Sequence, residues 1–209
     1  MPTLLVIAKE PVPGRVKTRL TPGFTPGQAA ALAEASLADT LRTIARVPAA
    51  RRVLVLDGTP GRWLPAGFDV VPQTRGTLGE RIAAAFTGCR SGPAVLVGMD
   101  TPQLTPELLT RITWDATDAW FGPATDGGFW ALGLRTPARA DRLVRGVPMS
   151  TPRTGALQRR RLLDAGLVVR DLPVLGDVDT AEDARHVGAL CPPDSHFAAA
   201  LRALPQAVR

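Results

Sequence analysis

At 209 residues the chain is long enough for one substantial hydrophobic core and too short for two, so a single domain over residues 1–209 is expected. With 45% apolar and 21% charged residues it has the composition of a soluble globular protein; its opening apolar run is far too short for a bilayer span or a signal sequence, and the cytoplasm is the expected location. A formal charge of +6 raises nucleic acid as a partner, but the cations are spread along the chain, tyrosine is absent, and the densest run, Arg159-Arg160-Arg161, lacks interleaved aromatics; it reads as a solvated helix face, and nucleic-acid binding is not expected.

The first predicted element is a strand at 4–7, which breaks into Lys9-Glu10-Pro11-Val12-Pro13-Gly14-Arg15-Val16-Lys17-Thr18-Arg19-Leu20. Only two lysines occur in the chain, against 23 arginines, and both lie in this loop with Arg15 and Arg19. Lysine carries a compact, mobile charge where arginine presents a planar fork, so lysine suits a phosphate that moves or changes charge. Four cations after a first strand call for an anion. Thr25-Pro26, with Gln28 at the capping-box position, then opens a helix to about Arg46, with Leu32, Leu37, Leu41 and Ile44 at helical spacing.

Further strands are predicted at 53–56, 70–71, 94–97, 120–122, 129–133 and 168–172, alternating with helical stretches in the pattern of an α/β fold with a mostly parallel sheet. Gln73-Thr74-Arg75-Gly76-Thr77-Leu78-Gly79-Glu80-Arg81 is a polar, Gly-interrupted loop before a helix, suited to lie along a nucleotide base through backbone amides. The strand at 94–97 ends in Gly98-Met99-Asp100-Thr101-Pro102, where Asp100 is either a divalent-metal ligand at a strand's carboxyl end or a turn cap. Thr105-Pro106-Glu107 and Thr151-Pro152 are predicted helix starts, the second helix ending near Gly166.

Asp126-Gly127-Gly128 between two apolar runs is a hairpin signal, and its glycines also let a substrate approach the backbone closely, where Asp126 could hydrogen-bond a hydroxyl or amine. Asp177-Val178-Asp179 places two carboxylates on one face of an extended segment, a spacing that suits Mg²⁺ or Mn²⁺, although Asp179-Thr180 also reads as a helix start with Asp183. Cys89 and Cys191 are isolated and predict packed thiols, and His186 and His196 lie outside every candidate site. No P-loop, dinucleotide fingerprint or nucleophile elbow is present.

Taken in order, Ala8-Lys9 through Leu20, Gly98 to Pro102, Pro123 to Phe129 and Asp177 to Thr180 resemble the GT-A, or nucleotide-diphospho-sugar transferase, superfamily. More closely, the chain resembles the small bacterial radical-SAM/selenodomain-associated transferases, a glycosyltransferase-like family with a domain of unknown function. Lys17-Thr18-Arg19-Leu20 is also similar to the N-terminal loop of phospholactate guanylyltransferases. Where the family has Trp-Ser-Thr before a late helix, this chain has Met149-Ser150-Thr151, and the aromatic pair after the glycines is Phe129-Trp130.

The resemblance implies a single-domain GT-A-like, Rossmann-like fold and a nucleotide, NTP or NDP-sugar, as partner, with a small-molecule acceptor. Ala8, Lys9, Gly14, Arg15, Lys17, Arg19, Gln73, Gly76 and Gly79 would contact the nucleotide. Asp100 and Asp179 would hold Mg²⁺ or Mn²⁺, and Asp126, Gly127 and Gly128 would meet the acceptor. Lys17, Asp100 and Asp126 are the expected catalytic groups. Nucleotidyl transfer is favoured over glycosyl transfer, because four cations exceed what a diphosphate needs and the strand-end motif is Asp-Thr-Pro rather than Asp-x-Asp. A nucleotide-binding protein without turnover is the third reading. The oligomeric state is left open.

Overall fold

The computed structural model describes residues 1–21 and 23–204. Its elements run β1 (Thr3–Lys9), α1 (Pro26–Arg46), β2 (Arg51–Asp57), β3 (Asp69–Pro72), α2 (Leu78–Thr87), β4 (Ala94–Val97), α3 (Pro106–Thr110), β5 (Ala119–Pro123), β6 (Phe129–Leu134), α4 (Ala140–Val144), α5 (Thr154–Asp164), β7 (Val169–Asp171), α6 (Ala181–Leu190) and α7 (His196–Ala203). Seven strands form one sheet in the order β3-β2-β1-β4-β6-β5-β7. All seven predicted strands are found. The α/β class and the mostly parallel sheet are as expected, and β6 alone runs antiparallel to its neighbours β4 and β5.

The apolar runs of β1 are continuous because helices cover both faces of the sheet. Leu4, Val6 and Ala8 point to a cluster with Leu37, Leu41 and Ile44 of α1, whereas Leu5 joins Ile82 and Phe86 of α2, Leu143 of α4 and Leu162 of α5 on the other side. A third cluster ties Leu20 of the basic loop and Val178 of the acidic segment to Leu32 and Phe197. Both segments with candidate site residues are therefore anchored in one small core. Buried Asp39 of α1 fastens α7 to it, accepting hydrogen bonds from Ser195 Oγ and from the backbone N–H groups of His196 and Phe197.

Helix starts follow local hydrogen bonding. Thr25 and Gln28 form the expected capping box on α1, and Thr180 with Asp183 forms another on α6. A third, Thr77 with Glu80, starts α2. The predicted start at Thr151-Pro152 is corrected: α5 begins at Thr154. Thr154 Oγ1 accepts from the Thr151 N–H at 3.0 Å and donates to the Pro148 carbonyl, and the Gly155 N–H donates to the Gly127 carbonyl at 2.7 Å. The hairpin thus claims a donor at the helix start, and 149–153 lies against it instead of coiling. At Thr105, α3 begins as expected but without a side-chain cap.

Among the described residues no helix is long and apolar enough to cross a membrane. Arg159 pairs with Asp171 and Arg160 with Asp164, which fits the reading of that run as a solvated face. His186 and His196 are exposed. Both cysteines are free, and burial pushes the thiol of Cys89 up and that of Cys191 to about 11, so both stay protonated and poorly nucleophilic.

Candidate functional site

The strand order reverses between β1 and β4. After β1 the chain builds outward through β2 and β3, then returns to place β4 on the other flank of β1. Ligands of open α/β sheets gather at the carboxyl ends of strands at such a reversal. Here a cleft of about 700 Å³ opens, a size suited to a small-molecule ligand. Because β6 is antiparallel to β4, its first residues lie beside the last residues of β4: Val97 faces Ala131, and the Gly98 N–H donates to the Trp130 carbonyl at 3.0 Å. The Asp126-Gly127-Gly128 hairpin is thereby brought to the cleft.

Of the candidate residues, Ala8, Lys9, Arg15, Lys17, Arg19, Gln73, Asp100, Asp126, Gly128 and Asp179 line this cleft. Gly14, Gly76, Gly79 and Gly127 do not, and backbone geometry accounts for them. Gly14, Gly76 and Gly127 adopt positive φ. A Cβ on Gly127 would overlap the Pro152 carbonyl, so this glycine seats the 149–152 segment, and Gly79 lies beneath Met149.

The candidate phosphate cations divide into two kinds. Lys9, Arg15 and Arg19 are exposed. Lys17 is buried, with its side chain 9% accessible, and its Nζ lies 2.8 Å from Asp100 and 3.2 Å from Asp179. Burial alone would lower its pKa, but the two carboxylates outweigh this and hold it above the ordinary lysine value. Its backbone is left-handed, at φ 49°, unusual for a residue with a side chain. Arg19 also reaches Asp179, at 3.0 Å. Lys17 and Arg19 thus pair directly with the acids.

The two acidic segments are coupled through the backbone, since the Val178 N–H donates to the Asp100 carbonyl at 3.0 Å. Gln103 holds the same segment by donating to the Gly176 carbonyl. Asp126 Oδ1 accepts from the Gly128 N–H at 2.7 Å, the turn role that its sequence suggested, while its side chain also faces the cleft. Asp177 stands beside Asp126 and shares a hydrogen bond with it. Burial, then repulsion from Asp126 and Asp100, pushes the Asp177 carboxyl up to about 8, against the pull of Lys17.

That shift carries a stability consequence. A carboxyl whose pKa is higher folded than unfolded favours the folded state while protonated, and the contribution fades as pH rises from the ordinary carboxylate range through about 8. Wild-type protein in metal-free buffer is expected to lose thermal stability steadily between pH 5 and 8. Asp177→Asn should flatten that slope in thermal melts; an unchanged slope would show that Asp177 does not titrate in this window.

Four carboxylates, Asp100, Asp126, Asp177 and Asp179, thus share the cleft with one buried ammonium. Among the described residues no three acidic, histidine or cysteine side chains converge as a ready metal cage. A hard cation that binds through one or two carboxylates and completes its shell with phosphate oxygens and water needs no such cage, and Asp100 with Asp179 fit it.

Gln73 was an expected lining residue, and Arg81, Met99, Met149, Ser150 and Thr151 join it at the cleft. Gln73 is engaged already: its amide donates to the Ala8 and Val55 carbonyls, and its oxygen accepts from Arg81 at 2.8 Å. Arg81, which also lines the cleft, keeps a buried Nε without a partner. Its position one α2 turn beyond Thr77 offered only a generic helix residue to sequence reasoning. Met99 accepts from the Lys9 backbone N–H through its sulfur at 3.3 Å. Ser150, at φ 58°, reaches the cleft with Met149 and Thr151.

A crystal structure of a Desulfovibrio desulfuricans G20 protein, provisionally designated a nucleotide-diphospho-sugar transferase, is 28% identical to this chain, with a TM-score of 0.86, covering 97% of this chain and 95% of that one. CMP:2-keto-3-deoxy-manno-octonic acid synthetase complexed with CTP is 12% identical, with a TM-score of 0.57, covering 91% and 98%. Rv0371C of Mycobacterium tuberculosis H37Rv in complex with manganese is 22% identical, with a TM-score of 0.50, covering 90% and 98%. The last two are likenesses of fold alone. No curated protein matches by sequence. Residues 35–151, more than half of the sequence, match the family described as an uncharacterized protein conserved in bacteria, DUF2064, and the chain belongs to that family.

Proposed function

We propose that residues 1–209 form a single nucleotide-dependent transferase domain. The favoured reaction is metal-dependent nucleotidyl transfer from an NTP to a small phosphate- or phosphonate-bearing acceptor. One observation carries this reading: the four cations of the first loop, with Arg81, and four carboxylates face a single cleft at the strand-order reversal. In the proposed roles Lys9, Arg15 and Arg19 bind the phosphates, and Lys17 turns from Asp100 and Asp179 to the same phosphates when nucleotide enters. Asp100 and Asp179 would hold Mg²⁺ or Mn²⁺. When bound, the metal would supply Lewis-acid neutralisation of the phosphate oxygens. Asp126, braced by the Gly128 N–H, orients the acceptor and takes its hydrogen bond. Such catalysis rests on positioning and electrostatics, and needs no protein nucleophile.

Glycosyl transfer from an NDP-sugar is the second reading, favoured by the 28% identity to the Desulfovibrio protein and its designation. The radical-SAM/selenodomain association implied by the motifs belongs to the same proposal and would place the acceptor in that pathway. Incubation with a panel of NTPs and NDP-sugars plus Mg²⁺ or Mn²⁺ distinguishes the reactions. Pyrophosphate is the expected product of nucleotidyl transfer, and a nucleoside diphosphate that of glycosyl transfer. Neither product with any acceptor, together with no thermal shift by nucleotide, would refute both and leave a protein that does not use nucleotides.

A further inference from the structure

The cleft has two chemically different walls. The charged groups sit at the ends of β1 and β4 and in the 177–179 segment, whereas Ile7, Leu78, Ile82, Leu96, Phe129 and Met149 line the opposite part. All six belong to the cluster between the sheet and α2, α4 and α5; Ile82 and Leu96 are fully buried, and the other four are only partly covered. The core therefore opens onto the cleft as an apolar surface. Its construction is specific. Met149 Cε lies over the first turn of α2 beside Gly79, and Phe129 is braced by Phe121 at a ring separation of 5.7 Å.

One of these side chains continues directly from a proposed acceptor group, since Phe129 follows the Asp126 hairpin, and Met149 precedes Ser150 and Thr151, which also line the cleft. The β3 side of the cleft is polar instead, with Arg81 donating to Gln73 and keeping a buried Nε without a partner. We propose that the wall formed by Ile7, Leu78, Phe129 and Met149 is an apolar acceptor subsite, which takes a short alkyl chain or one aromatic ring carried beside the acceptor's attacking oxyanion. A polyhydroxylated acceptor would leave its hydroxyls unpaired there. The inference rests on the proposed transferase reading, since it calls the second ligand an acceptor.

The test is calorimetric titration of methyl-, propyl- and pentylphosphonate into the full-length protein, alone and saturated with nucleotide plus Mg²⁺. Affinity should rise about fourfold per added methylene, because each buried methylene contributes by desolvation. Met149→Gln, close to Met in volume, should flatten the series, and Ile7→Thr provides a second variant should the first fold poorly. A flat wild-type series, no binding of any member, an unchanged slope in both variants, or loss of the pentylphosphonate site on nucleotide saturation would each overturn the proposal. Thermal shift by nucleotide separates the two claims. A flat series in protein that still binds nucleotide removes only the apolar subsite, whereas a steep series without nucleotide binding removes the transferase reading.

Discussion

Asp100→Asn is expected to lower kcat by about a thousandfold while leaving the fold intact. The change keeps the shape of the side chain and removes only its charge. Its backbone carbonyl still accepts the Val178 N–H, so the 177–179 segment stays in register with the end of β4. The ion pair to Lys17 is weakened, but Lys17 keeps Asp179 at 3.2 Å, and the Asp100 side chain is 40% accessible, so the stability cost should be at most about 1 kcal/mol. Steady-state kinetics beside a denaturation curve checks both halves. Full activity would remove Asp100 from the metal-ligand role; a collapse of stability would make it a structural residue.

Lys17→Met is expected to separate two properties that most substitutions would change together. Turnover should fall about a hundredfold, because a phosphate cation is lost. Mn²⁺ affinity in the absence of nucleotide should instead rise, on the order of tenfold, because the ammonium no longer competes for Asp100 and Asp179. Met matches the length of the lysine stem. It must also adopt φ near 49°, so the variant tests charge with the backbone demand unchanged. The carboxylates it exposes are partly solvated, and destabilisation should stay near roughly 2 kcal/mol, below that of a fully buried broken pair. Electron paramagnetic resonance of free Mn²⁺ measures the affinity directly. Unchanged Mn²⁺ binding with normal kinetics would return Lys17 to a structural ion pair.

These two residues also show what was legible in the sequence. Two-sided burial writes the central strands as short β-branched and Leu runs, and β4 matches its predicted bounds at 94–97, whereas the exposed edge strand β3 was readable from the β-branched Val70-Val71 alone. Capping chemistry is local, so Thr25 with Gln28 and Thr180 with Asp183 were found from spacing. Thr151-Pro152 carried the same signal and failed, because Gly127, distant in sequence, takes the Gly155 N–H. α4 and α7 escaped for a related reason. The first is one short uncapped turn fixed by packing on α2; the second has a local cap in Ser195, without an acidic or amide partner three residues on, and its start is also held by Asp39 more than 150 residues earlier.

At the cleft, the residue types were legible and their partners were not. Composition singled out Lys17 as unusual, but no local pattern says that its ammonium lies between Asp100 and Asp179. The 73–81 loop was expected to meet a base through backbone amides, and no local pattern says that Ala8, Val55 and Arg81 occupy both ends of the Gln73 side-chain amide. Such pairings depend on the sheet order, which places β4 beside β1 and brings the 177–179 segment back to the end of β4.

Calorimetric titration of NTPs and NDP-sugars, with Mn²⁺ present, into wild-type protein, Asp100→Asn and Lys17→Met addresses nucleotide use at this strand edge most directly. Saturable one-to-one binding to the wild type, weakened at least about tenfold in both variants, is the expected result. No saturable binding of any nucleotide, or equal affinity in all three proteins, would contradict it.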